Sequence, residues 1–211
     1  MRFLRFAALA TIAFTSLLVS SCLDGREEVW INADGSGRAD FTYEIPAQAA
    51  RLRGGVEGVD RLVAELLETV PSASHEVVQE DARLRIRVKV AFQSPDDLKS
   101  ITSSGTKTKN LASFDHMKGI FDVQRSFRTV DFTRTISPGK ALPTIIIPPS
   151  ELAGRKLTYI VHLPVVPTES TATKVENGGR TLIWERPLSG AVRQPIVVHF
   201  KAKIPIPPWL I

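Results

Sequence analysis

From Arg83 to Val90 the chain alternates without a break. Leu84, Ile86, Val88 and Val90 are apolar, while Arg83, Arg85, Arg87 and Lys89 are cationic. Period two marks a strand with one face on a core and the other in water. Residues 74–80 precede it, and Asp81-Ala82 supplies a two-residue turn. That register sets Glu80 opposite Arg83 and Glu76 opposite Arg87, leaving Arg85 and Lys89 as spare cations. Similar patterns predict strands over 28–33 and 38–45, joined by the turn Asp34-Gly35-Ser36-Gly37. A third hairpin is predicted over 119–125 and 127–136. Further strands follow over 156–163, 172–176, 180–186 and 196–204. Asn177-Gly178-Gly179 supplies a turn between two of them.

Period 3.6 shows once at length. Val56, Val59, Leu62, Val63, Leu66, Leu67 and Val70 form one apolar stripe, and Glu57, Asp60, Arg61, Glu65 and Glu68 take the other face. This predicts an amphipathic helix over 56–70 that lies across a sheet. Its acidic polar face is wrong for an anionic bilayer surface. Ser94-Pro95-Asp96-Asp97 is a helix start, with Ser94 as cap and Asp97 as acceptor. Pro138-Gly139 and Pro148-Pro149 exclude a helix between them. The expected architecture is α+β: a largely antiparallel sheet or open barrel of about eight to ten strands. One long amphipathic helix and one or two short helices complete it.

The N-terminus follows neither period. Met1 to Arg5 is basic, and residues 6–19 carry no charge. A basic segment, an apolar run and small residues make a secretory signal. The run is too short to span a bilayer, which needs roughly 20 apolar residues. Val19-Ser20-Ser21-Cys22 resembles the bacterial lipobox. That resemblance implies diacylglyceryl transfer to the Cys22 sulfur and cleavage between Ser21 and Cys22. A thiolate suits the step because it is readily alkylated. Two acyl chains hold a protein to a bilayer where one gives marginal binding.

The domain plan is then a signal over 1–21, a lipidated tether over 22–28, one domain over 29–205 and an apolar tail over 206–211. The whole chain of 211 residues carries 27 Lys+Arg against 22 Asp+Glu, a net +5. Losing Arg2 and Arg5 with the signal lowers that to +3. Such a small excess is no nucleic-acid signature. The single cysteine excludes an intramolecular disulfide and a thiolate zinc site.

Candidate chemistry is sparse. His75, His116, His162 and His199 fall in no zinc-binding spacing. Ser113, Asp115 and His116 invite a triad reading, but no G-x-S-x-G elbow accompanies them. Asp34 and Asp40 lack the spacing of a calcium loop. No Gly-rich phosphate loop opens a helix. No cofactor is expected. Arg85 and Lys89 remain as candidate contacts for anionic headgroups, against the plainer reading of a solvated sheet face. Trp184 is either core packing or a ligand platform.

The order of these motifs resembles the LppM-type domain of bacterial envelope lipoproteins. The matching residues are Asp34, Gly35 and Gly37 early, then Pro164, Asn177, Gly178 and Trp184. The resemblance implies an envelope-associated, lipid-interacting domain without known catalysis. Relatives often continue into a C-terminal membrane helix. Here Trp209, Leu210 and Ile211 end the sequence, so Cys22 is expected to be the sole anchor. The functional expectation is a non-catalytic lipoprotein, held on the extracytoplasmic side of the cell envelope, that binds a lipid, a glycolipid or an envelope protein. The alternatives are an assembly scaffold with no small ligand and, behind it, an envelope hydrolase using Asp115, His116 or Glu151.

Overall fold

The computed structural model describes residues 24–203 apart from 52, 69, 71, 99–118, 127, 128, 138–153 and 192. Its strands are β1 (Asp24–Ile31), β2 (Gly37–Pro46), β3 (Ala73–Glu80), β4 (Arg83–Phe92), β5 (Ile120–Ser126), β6 (Thr129–Ile136), β7 (Lys156–His162), β8 (Glu169–Ser170), β9 (Lys174–Glu176), β10 (Thr181–Pro187) and β11 (Ile196–Lys203). Its α-helices are α1 (Ala47–Arg51), α2 (Gly55–Leu67) and α3 (Leu188–Ala191). Cys22, the signal, the tail and the triad candidates Ser113, Asp115, His116 and Glu151 lie outside the described residues.

The strands form two open sheets, not a barrel. The larger has the order β3-β4-β2-β1-β7-β10-β9, and the smaller β5-β6-β11-β8. Antiparallel pairing dominates, as the short hairpins dictate. The exception is β1 with β7, which run parallel from Gly25–Leu157 to Trp30–His162. The protein is therefore mostly β, with helices as minor additions.

The inner faces of the two sheets share one core. Val29, Ala39, Phe41, Val161, Leu182 and Trp184 come from the larger sheet. Phe121, Val130, Phe132, Val198 and Phe200 come from the smaller. Phe132 stacks on Phe200 at 5.0 Å and meets Phe121 edge-on at 5.8 Å. Each fully buried valine in this layer contributes about 1.5–3 kcal/mol. A crossing segment closes one side. Thr168 binds back to Lys201 in the smaller sheet, and Thr173 binds Ile183 in the larger. Between them Thr171 accepts a hydrogen bond from Trp184 Nε1 at 3.0 Å. The indole is thus core, 1% exposed, with its only polar atom satisfied.

The expected long amphipathic helix is shorter. α2 has 13 residues, and its buried positions are Gly58, Val59 and Val63. It packs with Leu84 and Ile86 in a small second core. Val70 lies beyond the helix and belongs to the core between the sheets. The stripe continues in sequence, but tertiary packing claims its last residue for another layer. The segment expected as a tether is also different, since β1 already begins at Asp24. Asp24 to Glu28 looks polar because Asp24, Arg26 and Glu28 face outward and the inward Glu27 is also charged, yet hydrogen bonding on both edges makes it a central strand.

Local chemistry explains the turns. In the first hairpin, Asp34 Oδ1 accepts hydrogen bonds from the Ser36 amide at 2.9 Å and hydroxyl at 2.7 Å. These bonds hold the Asp34 carboxyl below its usual range. Gly35 at φ +87° supplies the left-handed residue. Asp34 is therefore engaged in the turn itself. The Ser94 motif forms one 3₁₀ turn, Pro95–Asp97, with Asp97 Oδ2 accepting from the Gln93 and Ser94 amides.

Gly37 is fixed by space. A Cβ there would lie 2.0 Å from the Trp30 carbonyl oxygen and 2.5 Å from the Phe92 ring. Gly37→Ala is expected to destabilise the protein by about 3 kcal/mol or more, because backbone on one side and ring on the other must both shift. Denaturant unfolding measures it. A loss under about 0.5 kcal/mol, the range of an ordinary surface change, would show that the hairpin yields freely.

Candidate functional site

Strand alternation aims Gly25, Glu27, Val29 and Ile31 of β1 at the second sheet. Three of these are apolar or small, and the fourth is a carboxylate only 5% exposed. On β6 the inward positions are Val130, Phe132, Arg134 and Ile136. Arg134 is 2% exposed. The two charges meet across the sandwich. Arg134 Nη1 donates to Glu27 Oε2, and Nη2 donates to Oε1 at 3.2 Å. Tyr43 on β2 donates its hydroxyl to Glu27 Oε1 at 2.5 Å. The guanidinium lies over Phe121 at 4.6 Å, Tyr159 at 5.1 Å and Phe41 at 5.9 Å. Aromatic faces compensate part of the desolvation that a buried cation suffers.

Tyr159, in register with Glu27 on β7, completes the cluster. Its hydroxyl is buried beside the Arg134 guanidinium, and no hydrogen bond of full geometry satisfies it. Burial pushes the Tyr159 phenol up against the opposing pull of Arg134. Burial also raises Tyr43, with Tyr159 adding to it. The same desolvation works against the charge on Arg134.

A narrow cleft leads to this cluster. Gly25, Leu157 and Tyr159 form one wall, Ile136 and Ile196 the other, with Glu27, Thr158 and Trp184 completing the lining. Its free space is about 10 Å³, room for roughly one water molecule. These residues mark one end of the sandwich, where β1, β7 and β11 begin and β6 and β10 finish. Cys22 stands two positions before the first residue of β1. The cleft therefore opens at the end from which the chain continues toward Cys22.

That end is laced by ion pairs. Asp24 meets Arg83 at 3.2 Å and Arg155 at 3.0 Å. Glu44 meets Arg83 at 2.9 Å and Arg85 at 3.2 Å, and Glu80 meets Arg85 at 2.7 Å. The Arg83 hydrogen bond, opposed in part by burial and helped by Arg85, keeps the Glu44 carboxyl below its usual range.

The arrangement defines the architecture. The fold is that of the LppM folded domain. The NMR structure of that Mycobacterium tuberculosis domain matches with a TM-score of 0.55, covering 89% of this chain and 92% of that one, at 10% sequence identity. No protein-family profile and no curated protein matches the chain. At such identity the likeness to LppM is one of fold alone, so the site must be argued from this chain's own residues.

The sequence candidates are dispersed. Glu80–Arg83 and Glu76–Arg87 pair in the expected register. Arg85 is not spare, because Glu44 arrives from β2, a strand that hairpin reasoning could not place beside it. Lys89 lies on the same outward face between Asp40 and Ser74. The histidines are separate. His162 contacts Glu28 and stacks on Trp30, His75 meets Asp60, and His199 meets Asp131. Among the described residues no three metal-ligating side chains converge, and no helix is long and apolar enough to cross a membrane. Sequence reasoning missed Glu27, Arg134 and both tyrosines. The available signal was a charge at an inward position of a strict alternation, on β6 above all.

Two expected outcomes follow from the cluster. Glu27→Gln leaves Arg134 buried without its counter-charge and should cost about 3–5 kcal/mol in denaturant unfolding. The triple variant Glu27→Leu, Tyr43→Phe, Arg134→Met should recover most of that loss, because no buried charge is left without its counter-charge and the Tyr43 hydroxyl goes together with its acceptor. Equal loss in both would show that packing, not charge burial, dominates.

The second concerns alkaline pH. Tyr43 and Tyr159 are the only tyrosines in the chain, and both are raised above the ordinary value of 10.0. Above pH 10 the unfolded chain releases phenolic protons that the native state retains. Stability should then fall by about 1.4 kcal/mol per pH unit for each tyrosine. Tyrosinate absorbance should rise together with loss of native circular dichroism. Free titration near pH 10 in the folded protein would contradict the buried placement.

Proposed function

We propose that this chain is a non-catalytic, lipid-anchored bacterial envelope protein that receives part of a lipid or glycolipid between its two sheets. The single observation that carries this reading is the inter-sheet cleft. Its walls are apolar, it opens at the end that continues toward Cys22, and it holds the buried Tyr159 hydroxyl, which no hydrogen bond of full geometry satisfies. Apolar walls with one or two unmet polar atoms suit an acyl chain carrying an ester or hydroxyl. The lipobox resemblance at Cys22 and the LppM-like fold agree with an envelope lipoprotein.

The closed cleft holds little more than a water, so ligand entry requires the sheets to part at that end. Ile136 and Ile196 of the smaller sheet would move from Leu157. The Glu27–Arg134 pair sits deeper and can act as the stop for such opening. The same small volume favours a second reading, an assembly scaffold with no small ligand.

Native mass spectrometry of the mature protein, released from its bacterial host in mild detergent, separates the two. The lipid reading expects an adduct of defined mass beyond the Cys22 acylation, lost on denaturation. Leu157→Trp, which fills the cleft, should lower its occupancy roughly tenfold, the effect of about 1.4 kcal/mol. A clean acylated mass, with a crosslinked protein recovered from cells, would move the assignment to the scaffold. A mass without any Cys22 adduct would remove the anchor.

A further inference from the structure

The end of the sandwich beside Cys22 carries more positive charge than its ion pairs consume. Asp24, Glu44, Glu80 and Glu185 neutralise Arg83, Arg85, Arg155 and Lys156. Arg51, Arg53, Arg186 and Arg193 are exposed and have no ion pair among the described residues.

Topology places these four arginines at one end of the larger sheet, in two pairs. β2 finishes at Pro46, in register with Arg83, the first residue of β4. The first amide of α1, at Ala47, donates to Ala82 in the β3–β4 turn. Arg51 closes α1, and Arg53 sits in the corner before α2. On the other side of β1, Arg186 lies opposite Leu157 near the start of β7. The Leu188 amide, opening α3, donates to Arg155, and Arg193 follows that helix. Asp24 and Gly25 lie between the two groups, in register with Glu44 and Leu157. A lipid on Cys22 would therefore emerge between two pairs of unpaired arginines.

We propose that Arg51, Arg53, Arg186 and Arg193 form a docking surface for the anionic phospholipid headgroups of the bilayer in which Cys22 is anchored. The proposal rests on the anchor reading above. The anchor holds this end within a few residues of the headgroups, inside the distance over which surface charge is felt. Near an anionic leaflet each arginine is worth about a fivefold shift toward the docked orientation. Docking would stand the sandwich upright and set the cleft mouth, at Gly25, Leu157, Ile136 and Ile196, against the bilayer. Lys89 does not share this surface. It lies six residues along β4 from Arg83, roughly 20 Å away.

The test uses the mature acylated protein in two kinds of vesicle: phosphatidylcholine alone, and an equimolar mixture with phosphatidylglycerol. Because the sulfur of Cys22 is alkylated, one introduced thiol takes a fluorophore. Ser189→Cys reports the arginine end, and Val166→Cys reports the opposite end, near Gly179. Lipids carrying a nitroxide near the headgroup quench a fluorophore that touches the bilayer.

The expected result is strong quenching at position 189 in anionic vesicles only, and little at 166 in either. Replacing all four arginines by Gln should drop quenching at 189 to the neutral-vesicle level while flotation persists. Replacement by Lys should restore it, and unchanged thermal unfolding would show that both sets fold. Equal quenching at 189 in both vesicles, insensitivity to the Gln set, or stronger quenching at 166 would overturn the docking surface and leave the anchor standing. Protein without a Cys22 adduct that fails to float would overturn the anchor, and the docking proposal with it.

Discussion

The sandwich is organised around one bond that crosses it: the pairing of Glu27 with Arg134 between residues 107 positions apart in the chain. A buried ion pair is weak evidence for net stability, since desolvation consumes most of what Coulomb attraction returns. Its force is as a constraint. Any other apposition of the two sheets leaves a carboxylate or a guanidinium in hydrocarbon with nothing to meet it. The surrounding groups serve that constraint. Tyr43 occupies a further acceptor position on Glu27, and the rings of Phe41, Phe121 and Tyr159 surround the cation. The strength of the pair thus lies in selecting one stacking of two sheets whose apolar faces alone would tolerate several.

The parallel pairing of β1 with β7 does comparable work at the end of the molecule. It brings the starts of two strands together and so gathers Asp24, Arg155 and Lys156 beside the ends of β2 and β10. The end holds strand termini and their charges beside the β3–β4 turn, with Gly25, near the start of β1, lining the inter-sheet cleft.

These two features give the proposed function its physical shape. The pair joins the sheets in depth, while Leu157, Ile136 and Ile196 line the cleft end with aliphatic surface. In the proposed reading, a ligand would enter by parting these side chains while the pair keeps the register. Tyr159 stands in register with Glu27, at the level of the pair, and its buried hydroxyl marks the inner end of the cleft.

Much of the chain could be read from its own order. Strict alternation identified β4 and β11, the Asp34–Gly37 and Asp81–Ala82 turns set two hairpins, and turn length alone put Glu80 against Arg83. These are local matters, governed by backbone geometry and side-chain period. The LppM-like fold was legible through its short motifs as well. The parallel β1–β7 pair, the division into two sheets, the burial of Val70 apart from its helical stripe and the partners of Arg85 were decided only by tertiary structure. So was the central pair. In sequence Glu27 belongs to a charged stretch that reads as a tether, and Arg134 to one strand of a predicted hairpin with nothing nearby in the chain to mark its partner. Whether an inward position is filled by an isoleucine or a charge is visible locally. Whether that charge is tolerable depends on a partner brought from the other sheet, and no local pattern carries that information.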